Sequence, residues 1–274
     1  MRIARYALDA SEPQFGIVEL AEYQGEHPGT VAAITGDPLA GPVNYTGERH
    51  ALDDVRLLAP VIPRSKIVAV GRNYAAHAAE FGNEVPETPI LFFKPNTSVI
   101  GPDDPIVWPE GAKEVHHEGE LAVVIGRICK QVPVERVGEV IFGYTVANDV
   151  SCRDWQASDG QWARAKGADT FCPLGPWIVT HLELAEAGDL QLTTVVGDPR
   201  DMASAELRQD DSTRQMVLGI AELVSHISQS MTLLPGDVVL TGTPAGVGPI
   251  EPGQRVVVSI QGIGELGNPV VAAQ

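Results

Sequence analysis

Glu118 and Glu120 stand two residues apart in the stretch VHHEGELAVVIG, Val115 to Gly126, and every residue from Leu121 to Ile125 is apolar. Side chains of a strand alternate between its faces, so residues two apart share a face. Their Cα atoms would lie roughly 7 Å apart, a gap that two long side chains can close onto one point. Carboxylates set beside an apolar run are costly unless something neutralises them. Facing solvent at a sheet edge is one remedy, and for an isolated Glu-x-Glu it is the commoner one. A cation is the other. Asp149 favours the cation, because it ends a second apolar strand, IFGYTVAND. Three carboxylates at strand ends, with no Cys or His set at zinc spacing, form an oxygen-rich group suited to Mg2+ or Mn2+. HHEGE also lacks the HExxH spacing of a zinc protease.

Cationic and amide side chains follow closely. DVSCRDWQ places Arg153 and Gln156 four and seven residues beyond Asp149. A helix starting here, with Ser151 as N-cap and Asp154 at its third position, would carry all three on one face. Lys166 follows in ARAKGADTFCPLGPW, which reads as a Gly-rich loop. Taken singly, each of these is more often an exposed polar side chain. Together they supply donors beside a metal.

His77 and Glu80 are three apart in NYAAHAAEFG, an Ala-rich segment expected to form a short helix closed by Gly82. Such a spacing makes them neighbours on one turn. A carboxylate beside an imidazole orients the ring and raises its basicity, so the pair can take a proton from water or from carbon. Without further context an ordinary surface pair is the commoner reading. Downstream, HAAEFGNEVPETP is a polar stretch flanked by Gly82, Pro86 and Pro89, placed to act as a lid that is mobile without ligand.

The elements that must position these groups are mostly strands. Residues 1 to about 60 read as a small β-rich module with strand candidates MRIARYAL, QFGIVELA and TVAAITG. Two prolines in VRLLAPVIPRSKIVAVG suggest a linker before a buried strand, Lys66 to Val70. From 61 to 274 the strands PILFFKP, GELAVVIG, IFGYTVAND, LGPWIVT, LQLTTVVG, DVVLTGTP and RVVVSIQGIGELGNPVV outnumber the helices, expected near Pro133–Val140 and from about Thr213 to Ser230. The fold class is therefore β-dominated α+β.

Bulk properties bound the function. The 274 residues are 44% hydrophobic, enough for a sizeable core in one large domain or a large and a small one. Asp plus Glu exceed Lys plus Arg, 36 against 19, and the resulting charge of −17 repels nucleic acid and anionic membranes. An anionic ligand would need a locally positive site. Cys129, Cys152 and Cys172 are scattered without a CxxC, which fits free thiols in a reducing cytoplasm. The N-terminus has no signal-peptide core, and no apolar run approaches the ~20 residues that span a bilayer.

The motifs GRNYAAHAAE, PILFFKP, HHEGELAVVIG, GYTVANDVSCRDWQ, KGADTFCPLGPW and GDVVLTGTPAGVG, in that order from about Ile67 to Gly248, resemble the fumarylacetoacetate hydrolase (FAH) family. The resemblance implies an FAH-type mixed β-roll or barrel catalytic domain, a small variable N-terminal domain and a homodimer. By motif match it makes Glu118, Glu120 and Asp149 the ligands of Mg2+ or Mn2+. Lys166 would lie near the metal and a bound keto acid, Arg153, Gln156 and Thr243 would contact substrate, and His77 and Glu80 would form the pair of hydrolytic and decarboxylating members. The implied substrates are small 2-oxo acids with a second carbonyl or carboxylate, of acylpyruvate, fumarylacetoacetate or oxaloacetate type. Presence of both His77 and Glu80 favours C–C hydrolysis or decarboxylation over tautomerisation of the 2-hydroxyhepta-2,4-diene-1,7-dioate kind. A non-catalytic metal-binding relative would be expected to have lost part of this set.

Overall fold

The computed structural model describes residues 1–9, 11–20 and 29–273. Ala21, at the end of the predicted second strand, lies outside them. In chain order, β1 (Arg2–Ala7), β2 (Gln14–Glu19), β3 (Thr30–Thr35) and β4 (Asn44–Ala51) form an antiparallel meander, and β5 (Arg56–Leu58) returns to pair with β1. Next come β6 (Ile67–Gly71), α1 (Ala75–Glu80), β7 (Ile90–Lys94), β8 (Val99–Ile100), β9 (Ile106–Trp108), β10 (Val115–His117) and β11 (Gly119–Ile125). After β12 (Ile141–Asn148) and β13 (Ser151–Cys152), two short helices, α2 (Arg153–Ser158) and α3 (Ala163–Gly167), lead into β14 (Cys172–Val179). The rest comprises α4 (Leu184–Ala187), β15 (Gln191–Gly197), β16 (Glu206–Ser212), α5 (Ile220–Ser230), β17 (Val238–Leu240), β18 (Gly248–Pro249), β19 (Arg255–Ile260) and β20 (Gly264–Ala272).

The described residues form three sheets. The largest runs β4-β3-β2-β1-β14-β12-β11-β17-β6-β7, a small one runs β13-β10-β18, and a third runs β16-β15-β19-β20-β9. The chain is thus strand-dominated, as expected. The N-terminal strands continue the largest sheet, because Arg2 and Ile3 of β1 pair with Val179 and Ile178 of β14.

β11 is buried along its whole length, which explains its unbroken apolar run. Leu121, Val123 and Ile125 pack into one cluster with Val68, Val146 and Val258. Ala122 and Val124 face a second cluster with Ile67, Ala69 and Leu240. A strand pinned on both faces cannot slip register without exposing one set, so the residues at its start are held in place.

Several helix expectations need correction. α5 begins at Ile220 rather than near Thr213, since Thr213–Gln215 forms a separate 3-10 turn. The segment near Pro133–Val140 is 3-10, Val134–Glu139. α2 starts at Arg153, so Ser151 is not its cap. Ser151 sits in β13 and its hydroxyl donates to the Asp149 carbonyl at 2.8 Å, while the Asp154 carboxylate accepts the Lys113 N–H at 3.1 Å. Lys166 lies on α3, not in a loop. No helix among the described residues is long and apolar enough to cross a membrane.

Candidate active site

Glu118 occupies the break between two sheets. β10 belongs to the small sheet and β11 to the largest, so Glu118 and Glu120 do not share one regular strand as the alternation argument expected. Side chains hold the break instead. Glu118 N–H donates to Asn148 Oδ1 and Gly119 N–H to Gln209 Oε1, both at 2.9 Å. Gly119 has no room for a side chain, because a Cβ would lie 2.5 Å from Thr194 Oγ1. The Asp149 N–H, just past the end of β12, donates across to the Glu118 carbonyl at 2.8 Å. Convergence follows by this different route: a carboxylate oxygen from each of Glu118, Glu120 and Asp149 lies within 4.8 Å of the others, and all three residues are buried.

Cations surround two of the three acids. Lys166 Nζ donates to Glu118 Oε2 and to Asp149 Oδ2, both at 2.7 Å, and Arg153 Nη2 lies 2.6 Å from Glu118 Oε1. Lys94, fully buried at the end of β7, bonds the other Asp149 oxygen. Burial by itself would raise the Glu118 carboxyl, but Lys166 and Arg153 outweigh it and hold the group far below the usual range. Burial likewise works against the Lys166 ammonium, yet Asp149 and Glu118 win and raise it. Glu120 is left out of this pairing. Burial, then the charges of Asp149 and Glu118, push its carboxyl well above the usual carboxylate range, and the Lys166 charge and the Gly242 N–H at 2.7 Å offset only part.

These residues fit a hard dication. The donor set is all oxygen, and the least balanced carboxylate stands where a cation would relieve it. No zinc-type sulfur or imidazole ligand belongs to the group.

Of the remaining predicted residues, His77, Arg153, Gln156 and Thr243 line a cleft of about 470 Å3 together with Glu118, Glu120 and Lys166, and Glu80 reaches it through His77. His77 Nδ1 lies 3.2 Å from Glu80 Oε2, and the other Glu80 oxygen accepts the Gly246 N–H at 2.7 Å. A carboxylate oxygen accepts, so Nδ1 carries the hydrogen and Nε2 is left free to act. Arg153 donates from Nη1 to Gln156 Oε1 at 2.9 Å and stacks 5.0 Å from the Phe81 ring centroid, joining α2 to the end of α1. Thr243 has its hydroxyl engaged twice: it donates to the Gly119 carbonyl at 2.8 Å and accepts from Gln209 Nε2 at 2.7 Å.

Sequence reasoning missed Lys94, Gln209 and Asn148. Lys94 carried a weak signal, a lone cation ending the apolar strand PILFFKP with no nearby acid to explain it. Gln209 and Asn148 carried none, since each acts by bonding a main chain remote in sequence.

Residues 66–271 match the family model for the C-terminal domain of fumarylacetoacetate (FAA) hydrolase, and residues 1–60 match the Rv2993c-like N-terminal model. The protein Rv2993c of Mycobacterium tuberculosis is 54% identical over 242 residues, 88% of each chain. The crystal structure of 5-carboxymethyl-2-hydroxymuconate delta-isomerase from Mycobacterium smegmatis is 50% identical with a TM-score of 0.87, covering 100% of both chains. Maleylpyruvate hydrolase from Sphingobium sp. SYK-6, solved in complex with manganese (II) ion and pyruvate, is 33% identical with a TM-score of 0.79, again over 100% of both.

Proposed function

This chain belongs to the fumarylacetoacetate hydrolase family, and on that premise we propose that it is a divalent-metal-dependent enzyme of 2-oxo acids that cleaves a C–C bond by hydrolysis or decarboxylation. One observation carries the reading: two acids of a buried three-carboxylate group, Glu118 and Glu120, line one cleft with an imidazole held by a carboxylate. Glu118, Glu120 and Asp149 are the residues that would hold Mg2+ or Mn2+. When bound, the dication supplies a Lewis acid to the 2-oxo and carboxylate oxygens and so favours enolate character at the adjacent carbon.

The chain's own groups do the rest. Lys94, Lys166 and Arg153 pair with Glu118 and Asp149, and counting Glu120 as ionised the three acids and three cations give −3 + 3 = 0 before any dication arrives. A dication held by Glu118, Glu120 and Asp149 would leave an excess of two positive charges in a buried place. An enolising 2-oxo acid brings the matching pair of negative charges, one carboxylate and one enolate oxygen. Lys166 stabilises charge as it develops, and Arg153 and Gln156 orient the ligand. His77 Nε2 takes the proton from water or from carbon while Glu80 holds Nδ1. The reading includes a cytoplasmic homodimer, which light scattering of the purified protein would test.

A second reading, proton return elsewhere to give an isomerase, is favoured by one comparison: the isomerase from Mycobacterium smegmatis is more similar in sequence than the maleylpyruvate hydrolase. The same assay separates the two. Oxaloacetate, acylpyruvates, fumarylacetoacetate and the heptadienedioate are offered with added Mg2+ or Mn2+ to the wild type and to the Glu118→Ala and His77→Ala variants. Metal-dependent cleavage of at least one is expected, with all activity lost in Glu118→Ala and enolisation spared relative to cleavage in His77→Ala. Isomerisation alone would establish the second reading. Turnover that survives Glu118→Ala would sink both.

A further inference from the structure

We propose that Arg72 selects the substrate, its guanidinium binding a second carboxylate at the far end of the 2-oxo acid. This deepens the function proposed above and rests on it. Arg72 lines the cleft beside Gly71 and is half-buried there. Each of the cleft's other basic side chains has a carboxylate beside it: Arg153 has Glu118, Lys166 has Glu118 and Asp149, and His77 has Glu80. Among the described residues no carboxylate or hydrogen-bond acceptor pairs with the Arg72 side chain. A free guanidinium in a partly desolvated cleft offers a planar fork for a carboxylate.

Its backbone strengthens the case. Arg72 has φ +58, a left-handed conformation in which a non-glycine residue is uncommon. Such conformations persist where the surroundings over-determine them, often at ligand sites. Here the next residue supplies the clamp. Asn73 Nδ2 donates to the Thr241 carbonyl at 2.8 Å and the Leu218 carbonyl at 3.0 Å, and its Oδ1 accepts the Leu218 N–H at 2.9 Å. Thr241 adjoins Gly242, whose N–H holds Glu120. Arg72 is therefore tied by a short chain of bonds to the carboxylate group that would anchor the other end of the ligand. Once the dication and the 2-oxo head are in place, Arg72 is the cation left for a distal anion, in a protein whose −17 charge otherwise repels one.

The test uses unreactive ligands, so it does not depend on turnover. Calorimetry on the Mn2+-loaded protein compares 2-oxoglutarate with 2-oxopentanoate, and 2-oxoadipate with 2-oxohexanoate. Within each pair only the distal group differs. We expect the diacid of at least one pair to bind about 10- to 100-fold tighter, the range of a charge-assisted hydrogen bond. Arg72→Asn should abolish that preference and leave monoacid binding unchanged, because Asn tolerates the left-handed backbone. Arg72→Lys should keep part of it. A diacid preference that persists in Arg72→Asn, or is absent from the wild type while monoacids bind in a Mn2+-dependent way, overturns the role of Arg72 alone. If Mn2+ improves the binding of none of the four ligands, the proposed function fails and takes this inference with it.

Discussion

The carboxylate group and helix α1 border the same cleft under opposite constraints. Glu118, Glu120 and Asp149 are 4%, 1% and 1% exposed and sit at strand ends, with main chains tied into the sheets or by Asn148 and Gln209. His77 and Glu80 lie on a helix of six residues, too short to persist alone, and the Glu80 side chain is 34% exposed. Glu80 is fastened by the Gly246 N–H, and neighbouring Phe81 by its contact with Arg153. Like charges can be massed only where the backbone is immobile and counter-cations are buried with them. His77, itself buried, reaches the cleft from this short helix rather than from a sheet.

Substitutions should separate the two regions. The largest effect belongs to His77→Ala, expected to lower cleavage by about 100- to 10,000-fold while changing unfolding free energy by about 1 kcal/mol or less. Rate assays beside urea denaturation check this; equal loss of folding and rate would erase the contrast. Lys166→Met acts on the other region. It strands Glu118 and Asp149 without their shared cation and should cost about 3–5 kcal/mol of metal-free stability, part of it restored by Mn2+.

Glu120→Gln sharpens the comparison further. Mn2+ affinity should fall by at least about 100-fold. Without metal the direction reverses. The folded-state pKa of Glu120 is raised, so the folded state binds the extra proton, and wild-type stability falls as pH rises from the ordinary carboxylate range through the raised value. Glu120→Gln should flatten that decline and melt above the wild type at the upper end of the window, in chelator-treated samples followed by calorimetry. Equal pH slopes in the two proteins would contradict the assigned imbalance. Glu80→Gln can keep the bond from Gly246 only by turning its NH2 toward His77 Nδ1, against the working tautomer, and should cost about 100-fold in rate. The smallest expected signal is slower hydrogen exchange across His77–Pro89 when 2-oxo acid and Mn2+ are bound.

Much of this was legible in the sequence because the signals are local. The unbroken apolar run after Glu120 announced a buried strand, and the acids at its start needed either solvent or a cation. The three-residue spacing of His77 and Glu80 fixed their contact once α1 formed. Ser151 misled because a cap is defined by where the helix begins, and pairing of Ser151 and Cys152 with β10 delays that start to Arg153. α5 was read too long for a related reason: Thr213 turns back to bond the Ala187 carbonyl and cannot join the helix.

The sequence by itself determined the kinds of group present: three acids at strand ends, cations close behind, and a His–Glu turn. Residue identity and short-range periodicity suffice for that. Tertiary structure decided which cation meets which acid. Lys94 reaches Asp149 across 55 residues and Lys166 reaches Glu118 across 48, and that pairing leaves Glu120 unbalanced and Arg72 free. Charges interact through space, at distances that only the packed sheets set.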